Sequence, residues 1–150
     1  MQKQDKGTID RFINDFAFLS NFHPSTIRWR GLKWKTVEHA YQAAKTLDEK
    51  QQQMIHESKT PAEAKKLGRA VTIRPDWDDV KLSIMEELIR LKFENPLLRY
   101  ALLQTGERPL VEGNHWNDTT WGICRGKGQN LLGKILMKVR DECRDEEIAS

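Results

Sequence analysis

The chain has 150 residues, 38% apolar and 31% charged, with a mean hydropathy of −0.71 and two cysteines, enough for one domain whose core needs no disulfide or metal staple. No run approaches the ~20 apolar residues that span a bilayer, and the start, MQKQDKGTID, lacks the apolar stretch of a secretory signal, so the expected setting is the cytoplasm, with no membrane partner. The net charge is +3; Asp141 to Ser150 hold five acids and one base, −4 in all, which leaves +7 on residues 1 to 140, a bias toward anionic partners that mixed solubilising charge also explains.

No internal repeat, low-complexity tract or Ser/Pro/Gly linker interrupts the chain, so residues 1–150 read as one domain, with a core over about 14–140 and an acidic tail over 141–150. Ile27, Trp29, Leu32 and Trp34 alternate with Arg28, Arg30 and Lys33, and Arg30-Gly31 supplies a turn, which predicts a short hairpin. Thr36 is placed to cap a helix whose buried stripe is Val37, Ala40, Tyr41 and Ala44. Thr60-Pro61-Ala62-Glu63 has the form of a capping box with proline at the first helical position. That helix should stop at Leu67-Gly68, where glycine can turn left-handed. Trp77 to about Phe93 carries the longest helical pattern, with Val80, Ile84, Leu88 and Leu91 along one side. Asn95-Pro96 ends it and starts another helix that runs to about Gln104, before Gly106. Gly113 to Gln129 is a long polar loop holding Trp116 and Trp121; loops of that length are functional or disordered, and two indoles argue against disorder. A last helix opens at Asn130, with Leu132, Ile135, Leu136, Val139 and Cys143 inward and a solvated end beyond Arg140. The expected fold is mainly α (α+β), a compact single-domain helical fold with a short β-hairpin.

Three groups of residues can carry chemistry. Glu38, Gln42 and Lys45 share a helix face beside the apolar stripe, a carboxylate at a helix start flanked by an amide and an ammonium. The same spacing describes an ordinary solvated face. Asn114-His115-Trp116-Asn117-Asp118 and Trp121-Gly122 pair short polar groups suited to ribose hydroxyls with indoles that stack on flat rings; a turn-rich loop pinned by its tryptophans reads the same way. Gly122 to Asn130, with Arg125 and Lys127 among glycines ahead of a helix, suits an anion held by free backbone amides, although it is neither a Walker A loop nor a dinucleotide fingerprint. The four histidines and two cysteines never reach a metal-ligand spacing, so no metal and no cofactor is expected. Cys124 reads as an ordinary loop thiol, and Trp77 at a helix start reads equally as a packing anchor.

Taken together, Ser20-Asn21-Phe22, Trp34-Lys-Thr-Val-Glu38-His39-Ala-Tyr-Gln42-Ala-Ala-Lys45, Leu67-Gly68-Arg69 with Arg74 and Trp77, Lys92-Phe93, Leu110-Val111-Glu112, Asn117-Asp118, Trp121-Gly122 and Gly126-Lys-Gly-Gln-Asn130-Leu-Leu-Gly133 resemble the YbiA-like, or NADAR, N-glycosidases, in the family's order from about Asn14 to Arg140. The resemblance implies cleavage of a bond between a ribose carbon and a nitrogen. The substrates it implies are phosphorylated ribosylaminopyrimidine intermediates of riboflavin synthesis, or NAD- and ADP-ribose-type compounds including an ADP-ribosylated nucleobase in nucleic acid. It makes Glu38, Trp77, Asp118 and Trp121 the catalytic candidates. Asn21, Phe22, Gln42, Lys45, Arg69, Gly126, Gly128 and Asn130 become substrate-binding candidates. Trp116 and Ile123-Cys124-Arg125 depart from the family form, at the point where substrate choice would be made.

Ribosyl C–N cleavage builds positive charge on the anomeric carbon, so an ionised Glu38 would stabilise that charge and orient or deprotonate water. Asp118 would hold ribose hydroxyls or share the proton transfer, Trp77 and Trp121 would hold the base, and Lys45, Arg69 and the glycine-rich turn would take the phosphate. The alternative is a non-catalytic module that binds ADP-ribose or NAD through the same groups. A nucleic-acid binder lacks a basic stripe or a known motif.

Overall fold

In the computed structural model, which describes residues 7–150, the chain is mainly helical with two short pairs of strands. It forms two compact units, one of Asn21–Glu94 and one of residues 7–20 with Asn95–Ser150.

The Asn21–Glu94 unit opens with the expected hairpin, β1 (Ile27–Trp29) antiparallel to β2 (Leu32–Trp34), with Ile27 opposite Trp34. Arg30 and Gly31 both take positive φ, 50° and 80°, as a tight two-residue turn between twisted strands requires. Ile27, Trp29 and Trp34 are buried, whereas Leu32, at the turn, is exposed. Thr36 then caps α1 (Val37–Ala44), its hydroxyl accepting from the His39 amide at 3.1 Å. All eight residues of α1 are buried, Glu38 and Gln42 included, so the solvated face allowed by the spacing does not exist. The cause is packing: α2 (Glu49–Glu57), α3 (Pro61–Gly68) and α4 (Trp77–Lys92) each lie against α1.

Helix α2 left no apolar pattern in the sequence, because only Ile55 of EKQQQMIHE is buried; Asp48 caps it by accepting from Gln51 N at 2.9 Å. Thr60 and Pro61 start α3 as expected, but Glu63 reaches back to the Lys59 amide, one residue before the cap. Gly68 ends α3 without the expected left-handed turn. It is buried, and the reason for glycine is close approach: a Cβ there would overlap Gln42 Oε1 and lie 2.7 Å from Gln42 Cδ. In α4 the buried line is Trp77, Ile84, Met85, Leu88, Ile89 and Lys92, with Val80 and Leu91 only half-buried at its margin.

In the other unit, Ile9 pairs alongside Leu110 through Ile9 N to Pro109 O (2.9 Å) and Val111 N to Ile9 O (2.8 Å). A 3-10 helix covers Asn14–Leu19. Asn95 and Pro96 start α5 (Pro96–Gln104) as expected, the Asn95 side chain accepting from Leu97 N and Leu98 N. Helix α6 (Leu131–Ala149) buries Leu132, Ile135, Leu136, Val139 and Cys143, the face read from the sequence. The acidic tail is solvated but tethered: Arg99 of α5 donates to Glu146 (3.0 Å), Glu147 (3.2 Å) and Cys143 O (3.2 Å).

Candidate active site

In the Asn21–Glu94 unit the chemistry gathers on α1. Glu38 is only 7% exposed, and a carboxylate survives such burial when donors hold its charge. One turn on, Gln42 Nε2 donates to Glu38 Oε2 at 2.7 Å, and the Glu38 amide donates to Asn21 O at 3.1 Å. Asn21 is itself buried, its Nδ2 resting 3.5 Å from Met85 Sδ of α4. Asn21 Oδ1 and Gln42 Oε1 are buried acceptors with no hydrogen-bond partner, which is costly in a core and leaves Asn21 able to accept from a ligand's hydroxyl or amine.

Beside this carboxylate lies a group of cations. Burial lowers the Lys45 ammonium below the usual lysine range, Glu38 opposes that shift, and Arg69, Lys65 and Lys81 push it further down. Three further cations thus act on Lys45. Lys45 Nζ lies 5.7 Å from the Tyr41 ring, and Tyr41 packs tilted on Trp77 with ring centroids 5.2 Å apart. Phe22, 37% exposed, has Lys65 Nζ 5.9 Å over its ring. Of the residues expected in this unit, Glu38, Gln42, Asn21, Lys45 and Arg69 come together, Phe22 joins through Lys65, and Trp77 stands behind Tyr41.

Sequence reasoning passed over Lys92 as a functional residue. Its side chain is among the largest fully buried ones, on the α4 line that also carries Met85, and burial alone lowers its ammonium to about 7. His23, two residues beyond Asn21, is pushed down by burial and by Lys92. The available signal was a lysine seven residues after Met85 and four after Leu88, on the inner stripe of the longest helix. His39 is a structural histidine: Nδ1 meets Thr36 Oγ1 at 2.8 Å and Nε2 meets Ser58 O at 3.1 Å.

The loop of the other unit is held by its own polar side chains. Asn114 Nδ2 donates to Glu112 Oε2 (3.0 Å) and Asp118 O (2.9 Å), while its Oδ1 accepts from the Asp118 amide at 3.1 Å. Asp118 Oδ1 accepts from the Thr120 and Trp121 amides, at 3.1 and 2.9 Å. Trp116 is 49% exposed and Trp121 is half-buried. The strands β3 (Gly113–Asn114) and β4 (Ile123–Cys124) run parallel within it. Cys124 and Lys127 exchange both backbone hydrogen bonds around Arg125 and Gly126, whose φ values of 52° and 77° make a tight left-handed turn.

Where the expected anion cradle runs into α6, four successive amides are already bonded. Gln129 N donates to Thr119 O (2.8 Å), Asn130 N to Gly122 O (3.3 Å), Leu131 N to Thr120 O (3.2 Å) and Leu132 N to Trp121 O (3.0 Å). Asn130 is buried in the left-handed region with both amide ends engaged, Oδ1 by Glu112 N (2.9 Å) and Nδ2 on Leu110 O (3.0 Å). Gly126 is exposed and free of neighbours, whereas Gly128, at φ 146°, leaves no room for a Cβ against Gly122 O. Among the described residues no group of three or more His, Cys, Asp and Glu side chains could hold a metal ion, and no helix is long and apolar enough to cross a membrane.

Residues 4–144 match the NADAR domain model. The chain is 44% identical over 137 residues to an N-glycosidase of Nostoc punctiforme, covering 87% of each. To N-glycosidase YbiA of Escherichia coli it is 38% identical over 138 residues, 89% of this chain and 86% of that one. A riboflavin biosynthesis protein of Vibrio vulnificus is 39% identical over 133 residues, and this chain spans 36% of it. The NMR structure of E. coli YbiA matches with a TM-score of 0.88 at 35% identity, over 99% of this chain and 91% of that one. Fold and relatives together define an enzyme of the N-glycosidase class. The chain belongs to the NADAR family, and its helical fold is that of YbiA.

Proposed function

We propose that this N-glycosidase hydrolyses the bond between a ribosyl anomeric carbon and the nitrogen of a base, in a substrate that carries phosphate on the ribose side. The observation that supports this most is Glu38, a buried carboxylate held by Gln42 and in electrostatic range of Lys45, on which three further cations also act. As the C–N bond lengthens, positive charge grows on the sugar and Glu38, ionised, stabilises it. Water then adds to the anomeric carbon, giving one proton up through Glu38, and the base departs with its bonding pair and takes a proton. Lys45 and Arg69 hold the phosphate, which places charge-assisted donors at the end of the substrate that does not react.

Asn21 Oδ1 accepts from a ribose hydroxyl, and the exposed Phe22 ring is the stacking surface for the base, under Lys65. Trp77, only 6% exposed, contributes by fixing the Tyr41 ring beside Lys45. Asp118 and Trp121 would add ribose and base contacts. Asn130, Gly126 and Gly128 would act by shaping their loop. Two substrate types carry the required phosphorylated ribosyl group: ribosylaminopyrimidine phosphates of riboflavin synthesis and ADP-ribose compounds, including an ADP-ribosylated guanine. The riboflavin type is favoured by the name of the V. vulnificus relative.

A panel of a ribosylaminopyrimidine phosphate, NAD and an ADP-ribosylated guanine, assayed for free base, tests the reading. Release from one of them that falls about a hundredfold or more in Glu38→Gln, with melting temperature retained, is the expected result. Tight binding of a panel compound without product, or full activity in Glu38→Gln, overturns it.

A further inference from the structure

We infer that Gly68 is a positioning residue for the reaction, acting on Glu38 through Gln42; this rests on the reading of Glu38 as the reacting carboxylate. The Gln42 amide has two ends. Nε2 holds Glu38 Oε2 at 2.7 Å, and that orientation is fixed, because turning the amide over would set two oxygens against each other. Oε1 therefore points away from the carboxylate, where it is buried without a hydrogen-bond partner. What it meets is the Cα of Gly68 in α3. The three atoms nearest to a Cβ built on Gly68 all belong to Gln42: Oε1 in direct overlap, Cδ at 2.7 Å and Cβ at 3.1 Å.

Gly68 has no backbone need to be glycine, since its φ is not in the positive region and it is the last helical residue of α3, a conformation alanine adopts readily. The missing side chain serves one purpose, to leave space for the Gln42 amide. A methyl group there cannot be accommodated by a small shift of a surface chain, because Gln42 is 4% exposed and α1 is buried along its whole length. The amide must swing off Glu38. The carboxylate then loses the Gln42 donor, its charged form is less favoured, and its pKa rises.

A double-mutant cycle tests this. Gly68→Ala and Gln42→Ala should each lower kcat/KM about tenfold or more and move the acid limb of its pH profile upward together, as loss of a donor to a charged group predicts. In the Gln42→Ala background the overlapping amide is gone and only the residue-42 Cβ, 3.1 Å away, remains of the three nearest atoms, so adding Gly68→Ala should change neither kcat/KM nor the acid limb. The inference is overturned if the double variant is as much worse than Gln42→Ala as Gly68→Ala is than the parent, or if Gly68→Ala leaves the pH profile unmoved. Should Gly68→Ala alone fail to fold, the comparison of the double variant with Gln42→Ala still decides. Glu38→Gln, assayed alongside, separates the two ideas: if it stays active the reading of Glu38 fails, whereas an inactive Glu38→Gln with an additive cycle removes only Gly68.

Discussion

Glu38 and Lys92 are both ionisable groups inside a packed unit, and their surroundings differ in kind. Glu38 has a donor one helical turn away and cations around Lys45, an environment suited to a charge. Lys92 is fully buried, and desolvation alone brings its ammonium to about 7. In the unfolded chain that ammonium titrates near its ordinary 10.5, so between about 7 and 10.5 the unfolded state binds the extra proton. The stability contributed at Lys92 is therefore complete above 10.5, falls as the pH drops through this window, and is flat below 7. Denaturant titrations of the parent and Lys92→Met should show the parent gaining on the variant as pH rises from 7 to 10; a constant gap would mean Lys92 is charged in the native state throughout. His39 works in the same direction lower on the scale: its depressed pKa, set first by burial, removes stability as pH falls below 6.5. At this scale Glu38, Gln42 and Lys45 were legible by spacing, but the burial of Glu38 and Gln42 was hidden, because it comes from three helices closing on α1.

Among the elements, those with a local signal were legible. Thr36, Thr60-Pro61 and Asn95-Pro96 mark helix starts by backbone chemistry that acts within one turn, and the structure has all three. Helix α2 was missed because eight of its nine residues are not buried, so no stripe could register. Ahead of α6 the glycines and cations of an anion cradle are visible in the sequence, whereas the carbonyls of Thr119 to Gly122 that fill the amides of Gln129 to Leu132 are not. Asn130 is the clasp of that element. Asn130→Ala removes the bonds to Leu110 O and Glu112 N and strains a left-handed residue, so it should cost about 2–4 kcal/mol in urea unfolding. Asn130→Gly keeps the backbone conformation and should recover only the strain. A loss below about 0.5 kcal/mol for Asn130→Ala would show that the loop holds without it.

For the molecule as a whole, the proposed phosphorylated substrate should feel the excess positive charge. The excess of +7 on residues 1 to 140 includes Lys45, Lys65, Arg69 and Lys81, and an anionic substrate approaching them should bind more weakly as salt rises. Arg69, exposed, should matter for KM and little for stability. Arg69→Ala is expected to raise KM about tenfold at low salt with kcat nearly kept, and to flatten the salt dependence. An unchanged KM would place the phosphate elsewhere. Membership of the NADAR family was already carried by motifs spread from Asn21 to Gly133, and the comparisons bear it out over residues 4–144.

By itself the sequence determined the hairpin turn, the capped helix starts, the inner face of α6 and the N-glycosidase family, because each depends on residue types at short spacings along one chain. Only the tertiary structure decided that α1 is buried on every side, that a side chain on residue 68 would overlap Gln42, that Lys92 lies in the core, and that the amides of Gln129 to Leu132 are closed. Those facts depend on which atoms from distant segments fill the same space, and spacing along a chain does not encode that.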